Sequence, residues 1–331
     1  MCKSVSGVKA GFMALALGAG LLMSSAADAG KVRVAFGDIA SVESLHLLAA
    51  FERAKEQGVD IEVTYLKSED IAAQAVVGGQ ADIGVGGPYA LMQKVKAPIR
   101  MFLQLSTLRF YPAVNGQFYK TWKDLNGQEI AVHSRGSGTE AIMKLMEDRQ
   151  GIKFSKISYI PGSEVRTGAL LQGNVKATIV DSSGRRLLET QAPGKFVILP
   201  LDGVNATDEA LFANQAFLDK NAADVDKIVE AIVQTWRDVT ANPGVVTEWR
   251  AKYKLMPDLP AGQVAEILPY FQELAQGNAF PLNGGGAVAA KDDFAFYTLS
   301  GQLTGEPANL KVADFWDTRS LDRALAKLGT K

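Results

Sequence analysis

The chain of 331 residues contains one cysteine, Cys2, and two histidines, His46 and His133. A lone thiol cannot close an internal disulfide, so stability must come from a packed core. No HExxH, GxSxG or clustered-carboxylate pattern is present, which leaves the usual metal-hydrolase and nucleophile-elbow chemistries without their residues. The phosphate loop GxxxxGK[ST] is absent, and Gly136-x-Gly138 lacks a third glycine at dinucleotide-binding spacing. The formal net charge is −1 and no basic stripe is interleaved with aromatics, so neither nucleic acid nor an anionic membrane is an expected partner. No metal and no cofactor is expected.

The longest apolar run, Ala10 to Met23, is short of the roughly 20 residues of a membrane span. Lys3 and Lys9 precede it, and Ala27-Asp28-Ala29 follows with small residues. Residues 1–29 therefore read as a secretory signal with cleavage expected before Gly30. The alternative is an uncleaved anchor. Cys2 lies ahead of the apolar run, so it is no lipid-attachment site after a signal. A soluble, exported chain without thiols is expected in a periplasm, as a monomer.

What is present is a repeat. Ile61 to Val85 and Ser155 to Ile179 align at one constant offset, which places Ala75-Val76-Val77-x-Gly79 on Ala169-Leu170-Leu171-x-Gly173. The same offset pairs Tyr65 with Tyr159 and Asp70 with Glu164. Each copy reads as strand, polar turn, apolar helix, glycine and strand. Two such units imply two similar α/β lobes with a crevice between them. Strands are expected at 31–36, 61–66, 81–85, 99–106, 129–132, 157–160, 175–180 and 196–201. Helices are expected at 44–57, 69–77, from about 139 to 150, at 165–171 and at 183–190. Beyond residue 204 the character changes. Val225, Ile228, Val229, Ile232, Val233, Trp236 and Val239 recur at helical spacing. Further helices are expected at 245–253, 263–276 and 320–328.

The candidate site residues stand at the ends of strands, where ligands bind in open α/β sheets. Ser137-Gly138-Thr139, between a strand and a helix, forms either an anion site at the helix start or a plain cap. Ser134 precedes it, and Arg135 beside it favours an anion, since guanidinium grips carboxylate, sulfonate or phosphate with paired hydrogen bonds. Gly87 and Tyr89 hold the corresponding place in the first lobe. Tyr89 is either a ligand-facing ring or core. Asp38, Ser41 and Ser44 follow the first strand and either bond a ligand or cap a helix. Asp181 either binds an amino group or hydroxyl, or caps the next helix. Arg109 and Arg166 face either the crevice or solvent.

These pieces together resemble the solute-binding proteins of ABC importers, in the nitrate/sulfonate/taurine family related to thiamine-precursor-binding proteins. The resemblance is carried by Val77-Gly78-Gly79-Gln80-Ala81-Asp82-Ile83-Gly84, by Asp124 to Val132, by Ser137-Gly138-Thr139 and by Leu171-Gln172-Gly173-Asn174-Val175-Lys176-Ala177. It spans about residues 31 to 255. Lys176 departs from the family's usual aspartate, and Asn283-Gly284-Gly285-Gly286 matches nothing in the pattern. The resemblance implies an α/β, two-lobed periplasmic-binding-protein fold of type II with a helical C-terminal region on lobe 1. It implies lobe 1 from 30–110, lobe 2 from 111–203, and a return to lobe 1 over 204–331. It further implies a non-enzymatic clamp that captures a small organic anion (sulfonate, taurine-like or carboxylate) and passes it to permease subunits. The competing readings are an enzyme on the same scaffold and a ligand-sensing subunit docking on a membrane receptor.

Overall fold

The computed structural model describes residues 30–331, and the expected signal lies outside them. Residues 31–331 form one compact unit. Along the chain come β1 (Val32–Phe36), α1 (Leu45–Glu56), β2 (Ile61–Tyr65), α2 (Glu69–Val77), β3 (Ile83–Gly86), α3 (Tyr89–Lys94) and β4 (Ile99–Gln104). Then follow β5 (Tyr111–Asn115), β6 (Glu129–Val132), α4 (Gly138–Gln150), β7 (Lys156–Tyr159), α5 (Ser163–Leu171), β8 (Ala177–Val180), α6 (Ser182–Gln191) and β9 (Phe196–Ile198). The remainder is β10 (Ala210–Asn214), α7 (Gln215–Lys220), α8 (Ala222–Ala241), α9 (Val245–Tyr253), α10 (Ala261–Gln276), α11 (Ala287–Leu299) and α12 (Arg319–Leu328).

The strands make two five-stranded sheets, β2-β1-β3-β10-β4 and β7-β6-β8-β5-β9. The order is the same in both, so the sequence repeat has become a repeat of topology. In each sheet three strands run parallel and the fourth is antiparallel to both of its neighbours. That antiparallel strand is exchanged. β5 enters the second sheet directly from the first lobe, and β10 returns to the first sheet from the second. The two crossing stretches pair as a short ribbon. Leu105 N donates to Glu209 O at 2.8 Å, Leu108 N to Ala206 O at 2.9 Å, and Asp208 N to Ser106 O at 3.0 Å. Thr107 and Thr207 face each other within it.

The elements that escape the sequence patterns include β5, β10 and α11. β5 contains Pro112, which argues against a central strand. Here Pro112 contributes its carbonyl, which accepts from Leu199 N at 2.8 Å. β10 is five residues long and follows two acids, Asp208 and Glu209, so nothing in its neighbourhood alternates. α11 (AVAAKDDFAFYTL) shows no clear stripe, because its exposed face carries Ala287, Val288, Ala295 and Leu299 while its buried face, packed on α3 and the C-terminal segment, holds Asp293.

The amphipathic α8 packs its apolar face on α1, and α12 packs on α8 and β4. The helical C-terminal region therefore covers the first sheet, as the resemblance implies. Trp236 of α8 is 1% exposed, and its indole N–H donates to Leu105 O at 2.8 Å where the first crossing begins. α10 also reaches the second lobe, through ion pairs with α6. Arg186 pairs with Glu266 at 3.1 Å and with Glu273, and Arg185 pairs with Glu273 at 3.3 Å.

Candidate functional site

The lobes meet around the crossing ribbon and enclose a crevice. Its inner part has two adjoining compartments that share Glu43, Phe110, Asp208 and Glu209 as walls. The lobes touch across the crevice. His133, at the end of β6, donates from Nε2 to the carbonyl of Gly37 after β1 at 3.1 Å. Its Nδ1 accepts from Gly162 N at 3.3 Å, so one neutral tautomer satisfies both contacts. Burial lowers its pKa, which agrees with a neutral ring. Gly162 has φ +82°, and a Cβ there would come within 2.8 Å of the Ile39 side chain of the other lobe. Glycine is what permits this approach.

The smaller compartment is polarised. The wall from lobe 1 and the ribbon carries the carboxylates of Asp38, Glu43, Glu69, Asp208 and Glu209. The opposite wall, from lobe 2, carries Arg166 with His133 and the hydroxyls of Ser137, Thr139 and Ser163. Asp38 accepts from Ile39 N at 2.7 Å and lies 3.7 Å from His133 Nδ1. Glu69 starts α2 and accepts from Gly87 N at 2.9 Å. Glu43, Asp208 and Glu209 accept no hydrogen bond from any described side chain. Burial, and secondarily their mutual repulsion, holds all three well above the ordinary carboxylate range. Burial also raises Glu69 and Glu164 to about 7.

Arg166 is 1% exposed. Its Nε donates to Ile179 O and its Nη1 to Ile160 O, both at 2.9 Å. Those two backbone contacts fix the guanidinium plane. Nη2 has no partner among the described residues and is left at the cavity wall.

The residues named from sequence divide into two groups. Asp38, Ser137, Gly138 and Thr139 line the smaller compartment, Asp181 the larger one, and Ser41 an outer recess between α6 and α10. Ser137 does cap α4, its Oγ accepting from Glu140 N at 3.3 Å while donating to Ser134 O at 2.8 Å. Asp181 caps α6, accepting from Gly184 N at 2.7 Å. Tyr89 is a correction. It is 0% exposed, donates to Asp293 at 2.5 Å and accepts from Trp316 at 2.9 Å, so it is core. Gly87 serves Glu69 and lines neither compartment. Ser134 is buried behind the loop, with no described partner for its hydroxyl.

Arg135 is the second correction. It is exposed on the outside of the loop, with its guanidinium 5.3 Å from the Tyr159 ring centre, and lines neither compartment. The expected grip on an anionic head is absent. The cation in the smaller compartment is Arg166, which the sequence left open between crevice and solvent. Arg109, the other open case, lies at the edge of the larger compartment and donates to Gly277 O. A purely anionic ligand fits poorly beside five carboxylates. Glu69 was the legible omission, since the repeat aligns it with Ser163, the opening residue of α5. Asp208 and Glu209 had no signal, because they sit in a crossing that the repeat does not contain. His46 lines the larger compartment within an aromatic cluster, its Nδ1 without a partner among the described residues. Its ring lies 4.4 Å from Trp236 and 5.3 Å from Phe271 and Phe280, and burial holds its pKa down at about 3.

Two sheets of identical order, two crossings and an interlobar crevice define the type II periplasmic-binding-protein fold. Residues 54–245 match the family described as NMT1/THI5 like, and the chain belongs to that family. No curated protein matches it. Among solved structures it is similar to a protein of Bordetella bronchiseptica RB50, with 24% identity and a TM-score of 0.71 over 90% of this chain and 98% of that one. It is similar to the alkanesulfonate-binding protein SsuA of Xanthomonas axonopodis pv. citri bound to MOPS, with 15% identity and a TM-score of 0.60 over 86% and 98%. It is also similar to the periplasmic nitrate-binding protein NrtA of Synechocystis PCC 6803, with 12% identity and a TM-score of 0.63 over 91% and 90%. The latter two are binding proteins. At such identities the likeness establishes the fold.

Proposed function

We propose that this protein is the periplasmic solute-binding component of an ABC importer, acting as a monomer. It closes on a small organic molecule between lobe 1 (30–110 and 204–331) and lobe 2 (111–203) and hands it to permease subunits. The observation that carries this reading is the unpartnered Nη2 of buried Arg166 at the wall of an interlobar cavity. Nη2 opens onto the cavity, where an acceptor from outside can complete it with a charge-assisted hydrogen bond. The expected acceptor is an acidic or carbonyl oxygen of the ligand, with Ser163, Ser137 and Thr139 hydroxyls around it. Closure follows from differential binding, because only the closed form brings both walls to the ligand.

Thermal-shift screening over sulfonates, carboxylates, nitrate, amines and amino acids tests the reading. At least one class is expected to raise the melting temperature, by the equivalent of about 2.7 kcal/mol at a hundredfold excess over Kd. Failure of every class to shift it would contradict capture of a small solute.

A further inference from the structure

We infer that the ligand is dipolar, with a protonated nitrogen set against the lobe 1 wall and an acceptor oxygen set against Arg166. This deepens the capture function proposed above and rests on it. The warrant is the separation of sign across the smaller compartment. Five carboxylates stand on the lobe 1 and ribbon side, and the one buried guanidinium stands on the lobe 2 side.

Neither wall is complete in itself. Glu43, Asp208 and Glu209 accept no hydrogen bond from any described side chain. Arg166 is held at Nε and Nη1 and bare at Nη2. Carboxylates that only supported the fold would be paired with cations, as Glu266 and Glu273 are with Arg185 and Arg186 at the crevice mouth. The acids on the ribbon have no such partner, and the cationic side chain that faces them belongs to the other lobe. A cationic nitrogen placed between Glu43, Asp208 and Glu209 would relieve their mutual repulsion. An oxygen at its other end would take the free donor of Arg166 in a charge-assisted bond. A simple anion would meet the acids without relief, and a simple cation would leave Arg166 bare. The larger compartment adds Phe36, Leu47, Phe110, Tyr270, Leu274 and Phe280, which suit an apolar body on the same molecule.

Two matched triples read this directly by isothermal titration at neutral pH. One is phenylalanine, phenethylamine and 3-phenylpropanoate. The other is 5-aminopentanoate, pentylamine and pentanoate. In at least one triple the zwitterion is expected to bind about tenfold or more tighter than both single-charge counterparts. Glu43→Gln and Glu209→Gln are expected to remove that advantage by weakening the zwitterion relative to the anion. Arg166→Gln is expected to weaken zwitterion and anion together. Because Arg166 also holds two carbonyls, the glutamine variants carry the test if Arg166→Gln does not fold.

An anion that binds as tightly as its zwitterion in both triples overturns the inference, and so does the absence of binding by all six compounds. The wider screen separates the two failures. If it yields a ligand while the triples do not show the expected order, the dipolar assignment falls and the clamp stands. If it yields none, both fall.

Discussion

The ligand-free protein is expected to resist urea better near pH 5.5 than near pH 7.5, by about 2 kcal/mol or more. The reason is the carboxyl-lined crevice. Burial raises Glu43, Glu69, Glu164, Asp181, Asp208 and Glu209, together with Asp293 behind the ribbon. Each is harder to ionise folded than unfolded. Its stabilising contribution is therefore complete below its unfolded pKa, and is lost as pH rises through the folded one. For Glu69 and Glu164 that window runs from 4.5 to about 7, and for Asp293 from 3.8 to about 6.

Two groups oppose the trend. His46 and His133 are buried neutral with lowered pKa, so acid costs about 2 kcal/mol at most for each at the lower pH. Surface acids held low by arginines, such as Asp317 at about 2, change only at lower pH still. The raised carboxyls outnumber the histidines, so the net slope follows them. Chemical denaturation at the two pH values measures it. Higher stability at the upper pH would contradict a crevice lined by acids that are harder to ionise folded than unfolded.

Asp293→Ala is expected to cost about 3–5 kcal/mol, measured by the same unfolding. Asp293 is 0% exposed on α11 and accepts three hydrogen bonds, from Tyr89 Oη at 2.5 Å, Thr207 N at 2.6 Å and Thr207 Oγ1 at 2.8 Å. Thr207 belongs to the crossing ribbon and also accepts from Gln104 at 3.0 Å. The carboxylate thus joins α3, the ribbon and α11 at one buried point. Its removal leaves several donors without partners and opens a small void. Tyr89→Phe removes one of the three bonds to Asp293 and leaves the Trp316 indole N–H without its acceptor, but keeps the ring against Tyr297 and Phe315, so about 2 kcal/mol is expected. It should leave ligand affinity untouched, as befits a core residue. A loss of affinity in Tyr89→Phe would return Tyr89 to the crevice.

The legible parts of this protein were those written in local periodicity or in the repeat. α2, β6 and α9 fall on their expected residues, and α1, α4, α10 and α12 differ by a residue or two at their ends. The exchange of β5 and β10 was not legible, because a strand inserted between partners distant in sequence has no reason to alternate in its own neighbourhood. α11 was hidden because apolar residues lie on its exposed face and Asp293 on its buried one. At the site, strand-end position drew attention to Asp38, Ser137, Gly138, Thr139 and Asp181, which line the two compartments. It misled at Tyr89 and Arg135, where the side chains turn into the core and out to Tyr159. Proximity along the chain cannot give a side chain's direction. The sign of the crevice was also beyond reach, since Glu43, Glu69, Asp208 and Glu209 come from three separate stretches and converge only when lobe 1 and the ribbon fold together.

The account turns on two lobes that shut around a guest. Ile71 on α2 and Val165 on α5 occupy equivalent positions of the repeat, one on each lobe, and are 41% and 46% exposed. With Cys2 replaced by Ser, spin labels on Ile71→Cys and Val165→Cys report the distance between lobes by pulsed electron resonance. Adding any compound that raises the melting temperature should collapse a broad distribution onto a single short distance. A compound that stabilises the protein strongly yet leaves the distribution unchanged would contradict capture between the lobes.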